Sequence, residues 1–120
     1  MKIILAGLCS LFLSVKGFSQ KEIKAEEARN NVGDTVKICT KIVDAVFDET
    51  AKGSPTILYI SNDNTATPIS FIIWADKRKF FDYKPDKDLK ERDVCITGKI
   101  ELYKEKPVII IDKQSQVDIK

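Results

Sequence analysis

The chain has 120 residues, with 20 Lys plus Arg, 18 Asp plus Glu and no His. That length suits one domain, by the usual range of roughly 100–200 residues. The absence of His excludes imidazole triads and dyads, and zinc sites that need imidazole.

Residues 1–19 read as a secretory signal peptide. Lys2 supplies a short positive start, Ile3 to Val15 is mostly apolar, and Gly17-Phe18-Ser19 places small residues just before Gln20. A membrane anchor is the competing reading, but Ile3 to Val15 rises only ~20 Å as a helix against a hydrocarbon core of ~30 Å. A lipoprotein site at Cys9 is disfavoured because Leu8 precedes it and the apolar run continues beyond. The expected mature domain is therefore residues 20–120, exported to the periplasm or secreted, with no membrane span. Losing Lys2 and Lys16 leaves 18 bases against 18 acids. A neutral domain has no large field to steer it to phosphate backbones.

Lys21 to Asn31 has helix-forming composition, with Gly33 placed to end the helix. Ile23, Ala28 and Val32 could share its apolar side. Val36, Ile38, Ile42 and Val46 then alternate with polar residues as one long strand. Asp48 to Pro55 is a polar connection, Thr56 to Ile60 a short strand, and Ser61 to Pro68 a turn cluster. Ile69 to Trp74 is a strand that is apolar on both faces. Asp76 to Tyr83 predicts a short helix capped by Asp76, with Phe80 or Phe81 pointing inward. Lys84 to Asp93 alternates charge and reads as a solvated loop. Val94 to Tyr103 is a strand with Val94, Ile96, Ile100 and Leu102 on one face, Lys104 to Pro107 a tight connection and Val108 to Ile111 the next strand, with Val117 and Ile119 extending that edge.

The order is helix, three strands, short helix, two strands. It predicts an all-β fold with short helices: a five-stranded OB-fold, a Greek-key barrel with an N-terminal helix and a short helix between strands 3 and 4. Gly98 inside a strand suits a bend at a barrel corner. A split sandwich of the same strands is the competing architecture.

The chain also resembles the small exported bacterial OB-fold domains described as nucleic-acid-binding-like. The residues that carry this are Glu27-Ala28 with Val32-Gly33, the run Val36 to Val43, Pro55 to Leu58, Ile72 to Trp74, Val94 to Ile100, and Ser115 to Val117. They cover nearly the whole mature chain and mark fold more than chemistry. Thr40 stands where such domains often have Gly, and Lys113-Gln114 where a Pro commonly precedes Ser-Gln. The resemblance implies an OB-fold and, by analogy of fold alone, a binding role.

Three side-chain groups stand out. Cys39 and Cys95 lie early in the first and fourth strands, which are neighbours in an OB-fold. An even cysteine count in an exported small domain favours a disulfide between them, with two free thiols as the alternative. Trp74, Ile72 and Ser70 share an outward face on which Ile57 and Tyr59 also fall. That face is where OB-folds take ligands, although the N-terminal helix or the segment after Trp74 could instead cover it as a second small core. Lys99, Lys104 and Lys106 gather near the last hairpin, diluted by Glu101 and Glu105. Lys77, Arg78 and Lys79 form a second basic set, flanked by Asp76 and Asp82. Each reads either as a phosphate track or as a solvated edge.

The acids offer no convincing catalytic pair, since Asp86, Asp88, Glu91 and Asp93 fall in one charge-mixed loop, and there is no nucleophile elbow or Gly-rich phosphate loop. Asn62-Asp63-Asn64 lacks EF-hand spacing. No enzymatic activity, cofactor or metal is expected. The expected function is an exported binding module for single-stranded nucleic acid or another anionic oligomer, using Tyr59, Trp74, Lys99, Lys104 and Lys106. A protein-interaction or envelope-structural module built on Ile57, Ile72 and Trp74 is the alternative. A secreted nuclease is a distant third, since only Arg29, Arg78 and Arg92 are available to it.

Overall fold

The computed structural model describes residues 21–62 and 67–120. The expected signal peptide and most of the Asn62-Asp63-Asn64 turn lie outside the described residues.

Residues Lys21–Ile23 form β1, which runs parallel to β2 (Thr35–Lys41) and sets Ile23 beside Ile38. The predicted helix therefore starts later than its composition suggests, because Ile23 is buried by pairing as a strand. A 3-10 helix follows over Ala25–Asn31, with Ala25 and Ala28 buried. Glu27 anchors its start: its carboxylate accepts the Lys24 N–H at 2.8 Å. Gly33, at φ +96°, makes the exit in a conformation that side chains rarely adopt. Val32 does not join the apolar side and is exposed.

The single long strand is divided into β2 and β3 (Asp44–Phe47). Val36, Ile38 and Ile42 are fully buried, but Val46 is 43% exposed and Ala45 packs on the core instead. The alternation shifts phase by one residue at Ile42-Val43, and such a shift moves every later side chain to the opposite face. The backbone changes partner at the same place. Ile42 donates to the Arg92 carbonyl and Val43 to the Tyr59 carbonyl.

The remaining strands are β4 (Thr56–Tyr59), β5 (Ser70–Ile73), β6 (Asp93–Tyr103), β7 (Lys106–Ile110) and β8 (Val117–Ile119). The sheet order is β1-β2-β6-β7-β5-β4-β3, and β8 pairs with β6. The β1–β2 and β5–β7 pairs are parallel and the others antiparallel. Among the described residues the molecule is thus mostly β, a mixed eight-stranded sheet with a few short helices. β8 does not extend β7. It lies against Val94–Ile96 of β6.

The long strand β6 serves two neighbours. Asp93–Lys99 pairs with β2, and Ile100–Tyr103 pairs with β7. Gly98 sits at the handover, where a Cβ would lie 2.5 Å from Ile109 Cγ2. The expected bend at this glycine is thus a close approach of packed strands. Phe71, Leu58, Ile38, Ile96 and Ile109 fill the core with no solvent exposure.

Two readings of the segment between β5 and β6, one a helix and one a loop, need correction. The first helix, α1, spans Ala75–Arg78, and Asp76 lies inside its first turn instead of capping it. Phe81 points inward and Phe80 stays 60% exposed. The stretch Lys84 to Asp93 is not wholly a solvated loop. It holds α2 (Pro85–Asp88), with Pro at the first helical position. Pro85 and Leu89, one helical turn apart, are both buried, and the alternating charges around them hid that anchor.

Cys39 and Cys95 face each other directly in the β2–β6 register, 3.9 Å apart at Cα, and form a disulfide. Gln116 ties the C-terminal segment down. Its Nε2 donates to the Thr97 and Ile110 carbonyls, and its Oε1 accepts from the Asp112 and Lys113 N–H groups.

Candidate functional site

Register determines which side chains share the outer face. Asp44, Tyr59, Ser70, Val108 and Glu101 form one row across β3, β4, β5, β7 and β6. Val46, Ile57, Ile72 and Ile110 form the next. A groove of about 340 Å³ opens on this face. Its floor is apolar, with Ile57, Ile72 and Val108. Tyr59 and Thr67 border one side, and Tyr103, Lys104, Lys106 and Pro107 border the other. Ile72 and Val108 are each only 2% exposed, although neither belongs to the main core cluster. Neither the N-terminal 3-10 helix nor α1 lines the groove, so the expected cover over this patch is not what borders it.

The hairpin beside the groove is built in an unusual way. Lys104 and Glu105 lie at φ +53° and +67° between the paired residues Tyr103 and Lys106. Two successive left-handed residues make the primed turn that suits the twist of a hairpin, a role usually filled by Asn-Gly. Holding non-glycine residues there costs about 1–2 kcal/mol each. Lys104 Nζ lies 5.4 Å from the Tyr103 ring centroid.

Trp74 supports this wall from the side. Its ring meets Tyr103 edge-on at 5.8 Å and 74°. Gly53, at φ +81°, lies against the other part of the indole, where a Cβ would come within 2.9 Å of Cε3. Trp74 itself does not line the groove.

Of the five expected ligand residues, the structure brings Tyr59, Lys104 and Lys106 together in one groove. Trp74 sits behind it. Lys99 is paired with Thr35 of β2 and is not part of the lining. Sequence reasoning missed Tyr103, Pro107 and Val108. The signal for Tyr103 was its place at the end of a strand, directly before a two-residue turn.

Burial, then Asp44 and Asp48, raise the Tyr59 hydroxyl above its ordinary pKa. Tyr59 is therefore a neutral hydroxyl at physiological pH. Asp44 is itself paired with Lys90 at 3.6 Å, and Asp48 accepts hydrogen bonds from Thr50 and Ala51 in its own loop.

The second basic set is spent locally. Arg78 lies 4.2 Å from the Phe47 ring centroid and pairs with Asp86 at 2.9 Å. Lys77 and Lys79 stand 6.0 and 5.4 Å from the Phe80 ring. A wider depression of about 580 Å³ lies beside β1, but it is lined by Glu22, Glu26 and Glu27 against Lys24 and holds no aromatic side chain. Among the described residues no cluster of three His, Cys, Asp or Glu could hold a metal ion, and no helix is long and apolar enough to cross a membrane.

No protein-family model matches the chain. No curated protein matches it either. Similar solved structures include the following two. One is the OBody AM1L10 bound to hen egg-white lysozyme, at 19% identity and a TM-score of 0.59, covering 86% of this chain and 96% of that one. The other is a Leishmania major protein described as an aspartyl-tRNA synthetase, at 11% identity and a TM-score of 0.51. That match covers 85% of this chain but about a fifth, 21%, of the other. At these identities the likeness is one of fold.

Proposed function

We propose that this is an exported, non-enzymatic binding module of OB type that lays an extended chain across the groove on β4, β5 and β7. The barrel reading is supported by strand continuity. β3, at one end of the sheet path, continues into β2 near the other end through Ile42-Val43 alone. On this reading β2 and β3 are two halves of one barrel strand, and the parallel β5–β7 pair is the contact that would close the ring. Export is supported by the signal-like residues 1–19 and by the disulfide, a bond that persists in oxidising compartments.

The single observation that carries the binding reading is the convergence of Tyr59, Tyr103, Lys104 and Lys106 around an apolar floor. Two chain chemistries meet that description. Single-stranded nucleic acid, or another anionic oligomer, would stack on the tyrosines at ~1–3 kcal/mol per base and place phosphates at the lysines. A segment of a protein partner would use the aliphatic floor, and the lysozyme-bound OBody is a protein of similar fold in complex with a protein.

The test is a pair of selections at low salt. A randomised single-stranded oligonucleotide pool and a displayed random-peptide library are panned against the native protein and against the double variant K104E/K106E. At least one pool is expected to yield binders that the variant holds at least tenfold more weakly. If neither pool yields such binders, the reading is overturned.

A further inference from the structure

The Cys39–Cys95 bond is covered unequally at its two ends. Cys39 is exposed, whereas Cys95 is only 3% exposed. Register explains the difference. The β1–β2 ladder ends at Ile23–Ile38, one residue short of Cys39, and the chain then turns into the 3-10 helix. Cys39 therefore borders two depressions. One, of about 580 Å³, lies on the β1 side with Ile23, Lys24, Ala25 and Thr40. The other, of about 470 Å³, lies over the β2–β6 pair with Lys37, Lys41 and Asp93. Cys95 borders the second and not the first. Its other side is covered by β8, where Asp118 stands directly opposite it.

In thiol–disulfide exchange a thiolate attacks one sulfur in line with the bond that breaks, and access decides which sulfur is taken. The S–S bond spans β2 and β6. The line of attack on Cys39 thus comes in from the β1 side, over an open depression. The line of attack on Cys95 comes in from the β8 side, where the strand stands in the way. The Asp118 carboxylate, paired with Lys120 at 3.2 Å, is on that side as well. Lys37 and Lys41 lie two residues to either side of Cys39 on its own face and favour an incoming thiolate. Glu22 and Glu26 line the approach with Lys24, so the entry is of mixed charge.

We propose that Cys39 is the entry sulfur for a low-molecular-weight thiol and Cys95 the resolving sulfur of the same pair. The thiolate bonds to Cys39 Sγ, the Cys39–Cys95 bond breaks, and its electron pair leaves on Cys95 Sγ, which takes a proton from water. The seven paired positions of the β2–β6 ladder keep Cys95 opposite Cys39. The Cys95 thiolate then attacks Cys39 Sγ, the original bond re-forms and the small thiol is released. When a second small thiolate attacks the adduct's own sulfur instead, the two leave as their disulfide and both protein cysteines stay reduced. This chemistry is independent of the groove and of its ligand.

The test mixes the oxidised native protein, without denaturant, with 2-mercaptoethanol, a small and uncharged thiol. The reaction is quenched in acid and alkylated, and peptide mass spectrometry locates the adduct. The adduct is expected on Cys39 over Cys95 by about tenfold or more, with the alkyl label on Cys95. Single variants give a second reading. The free Cys39 thiol of Cys95→Ser should take up the probe from its symmetrical disulfide about tenfold faster than the free Cys95 thiol of Cys39→Ser. Circular dichroism checks that both variants are folded, and the native protein decides where either is not. An adduct on Cys95, on both cysteines equally, or on neither would overturn the proposal. So would an adduct whose rate climbs with urea in step with unfolding, because exchange would then need the open chain.

Discussion

Breaking the Cys39–Cys95 bond is the most quantifiable perturbation of this fold. The two residues are 56 apart in sequence. On the chain-entropy relation, a loop of that size restricts the unfolded chain by about 14 cal/mol/K, or about 4 kcal/mol at 25 °C. Domains of this size are stable by only about 5–15 kcal/mol in all. The native β2–β6 ladder has seven paired positions, Thr35–Lys99 through Lys41–Asp93, so reduction should leave the ladder in place. The cost therefore falls on the unfolded state. Urea unfolding of the oxidised protein, the reduced protein and the double variant C39A/C95A measures it. Reduction and substitution should each lower stability by about 3–5 kcal/mol. A difference below about 1 kcal/mol would refute the reasoning, because the bond would then be confining little of the unfolded chain.

Three further outcomes are expected. Gly53→Ala places a methyl within 2.9 Å of Trp74 Cε3 at φ +81°, so it should cost about 1–3 kcal/mol and shift the emission of the chain's single Trp; unchanged stability and emission would contradict the packing. Glu105→Gly relieves a left-handed residue at φ +67° and should raise the urea midpoint, a gain of about 0.5–1 kcal/mol; a lowered midpoint would contradict the turn assignment. The Tyr59 hydroxyl is raised above 10.0 by burial and by Asp44 and Asp48. Its contribution to stability is thus fully present below the unfolded value near 10 and is lost as pH rises through the folded value. Burial, then Asp88 and Asp82, raise the Tyr83 hydroxyl as well, so an ultraviolet tyrosinate titration should show a late component that Tyr59→Phe reduces and does not abolish, and a titration unaffected by that substitution would count against the buried rim.

Much of the fold was legible in the sequence because it rests on period-two burial. Val36 and Ile38, and Phe71 and Ile73, were readable as inward pairs, and all are buried; of the face Val94, Ile96, Ile100 and Leu102, the first three are buried and Leu102 is 54% exposed. The cysteine pair followed from chain order, since it needed only the first and fourth strands to be neighbours. Where local pattern and tertiary pairing diverge, the sequence was silent. The phase shift at Ile42-Val43 turned Val46 outward, and no composition signal marks a change of hydrogen-bond partner between adjacent residues. Lys21–Ile23 has the composition of a helix but is held as a strand by β2. Leu89 lay hidden among alternating charges.

The candidate site was half legible for the same reason. Tyr59 and Ile72 are strand residues whose outward direction follows from alternation. Lys104 and Lys106 follow from the hairpin. Tyr103 and Val108 become groove residues only through the β6–β7 register, and Trp74 becomes a buttress only through its contact with Tyr103. Lys99 shows the opposite failure. It is close in sequence to the binding hairpin, yet it lies where β6 still pairs with β2.

The central claim is that ligand lies on the outer face of β4, β5 and β7. Amide correlation spectra recorded while a selected binder is added test it most directly. The account predicts that the perturbed resonances cluster at Tyr59, Ser70, Ile72 and Tyr103 to Val108, with little change at β1 and the 3-10 helix. Perturbations gathered instead around Glu22 to Glu27 and Cys39 would contradict it.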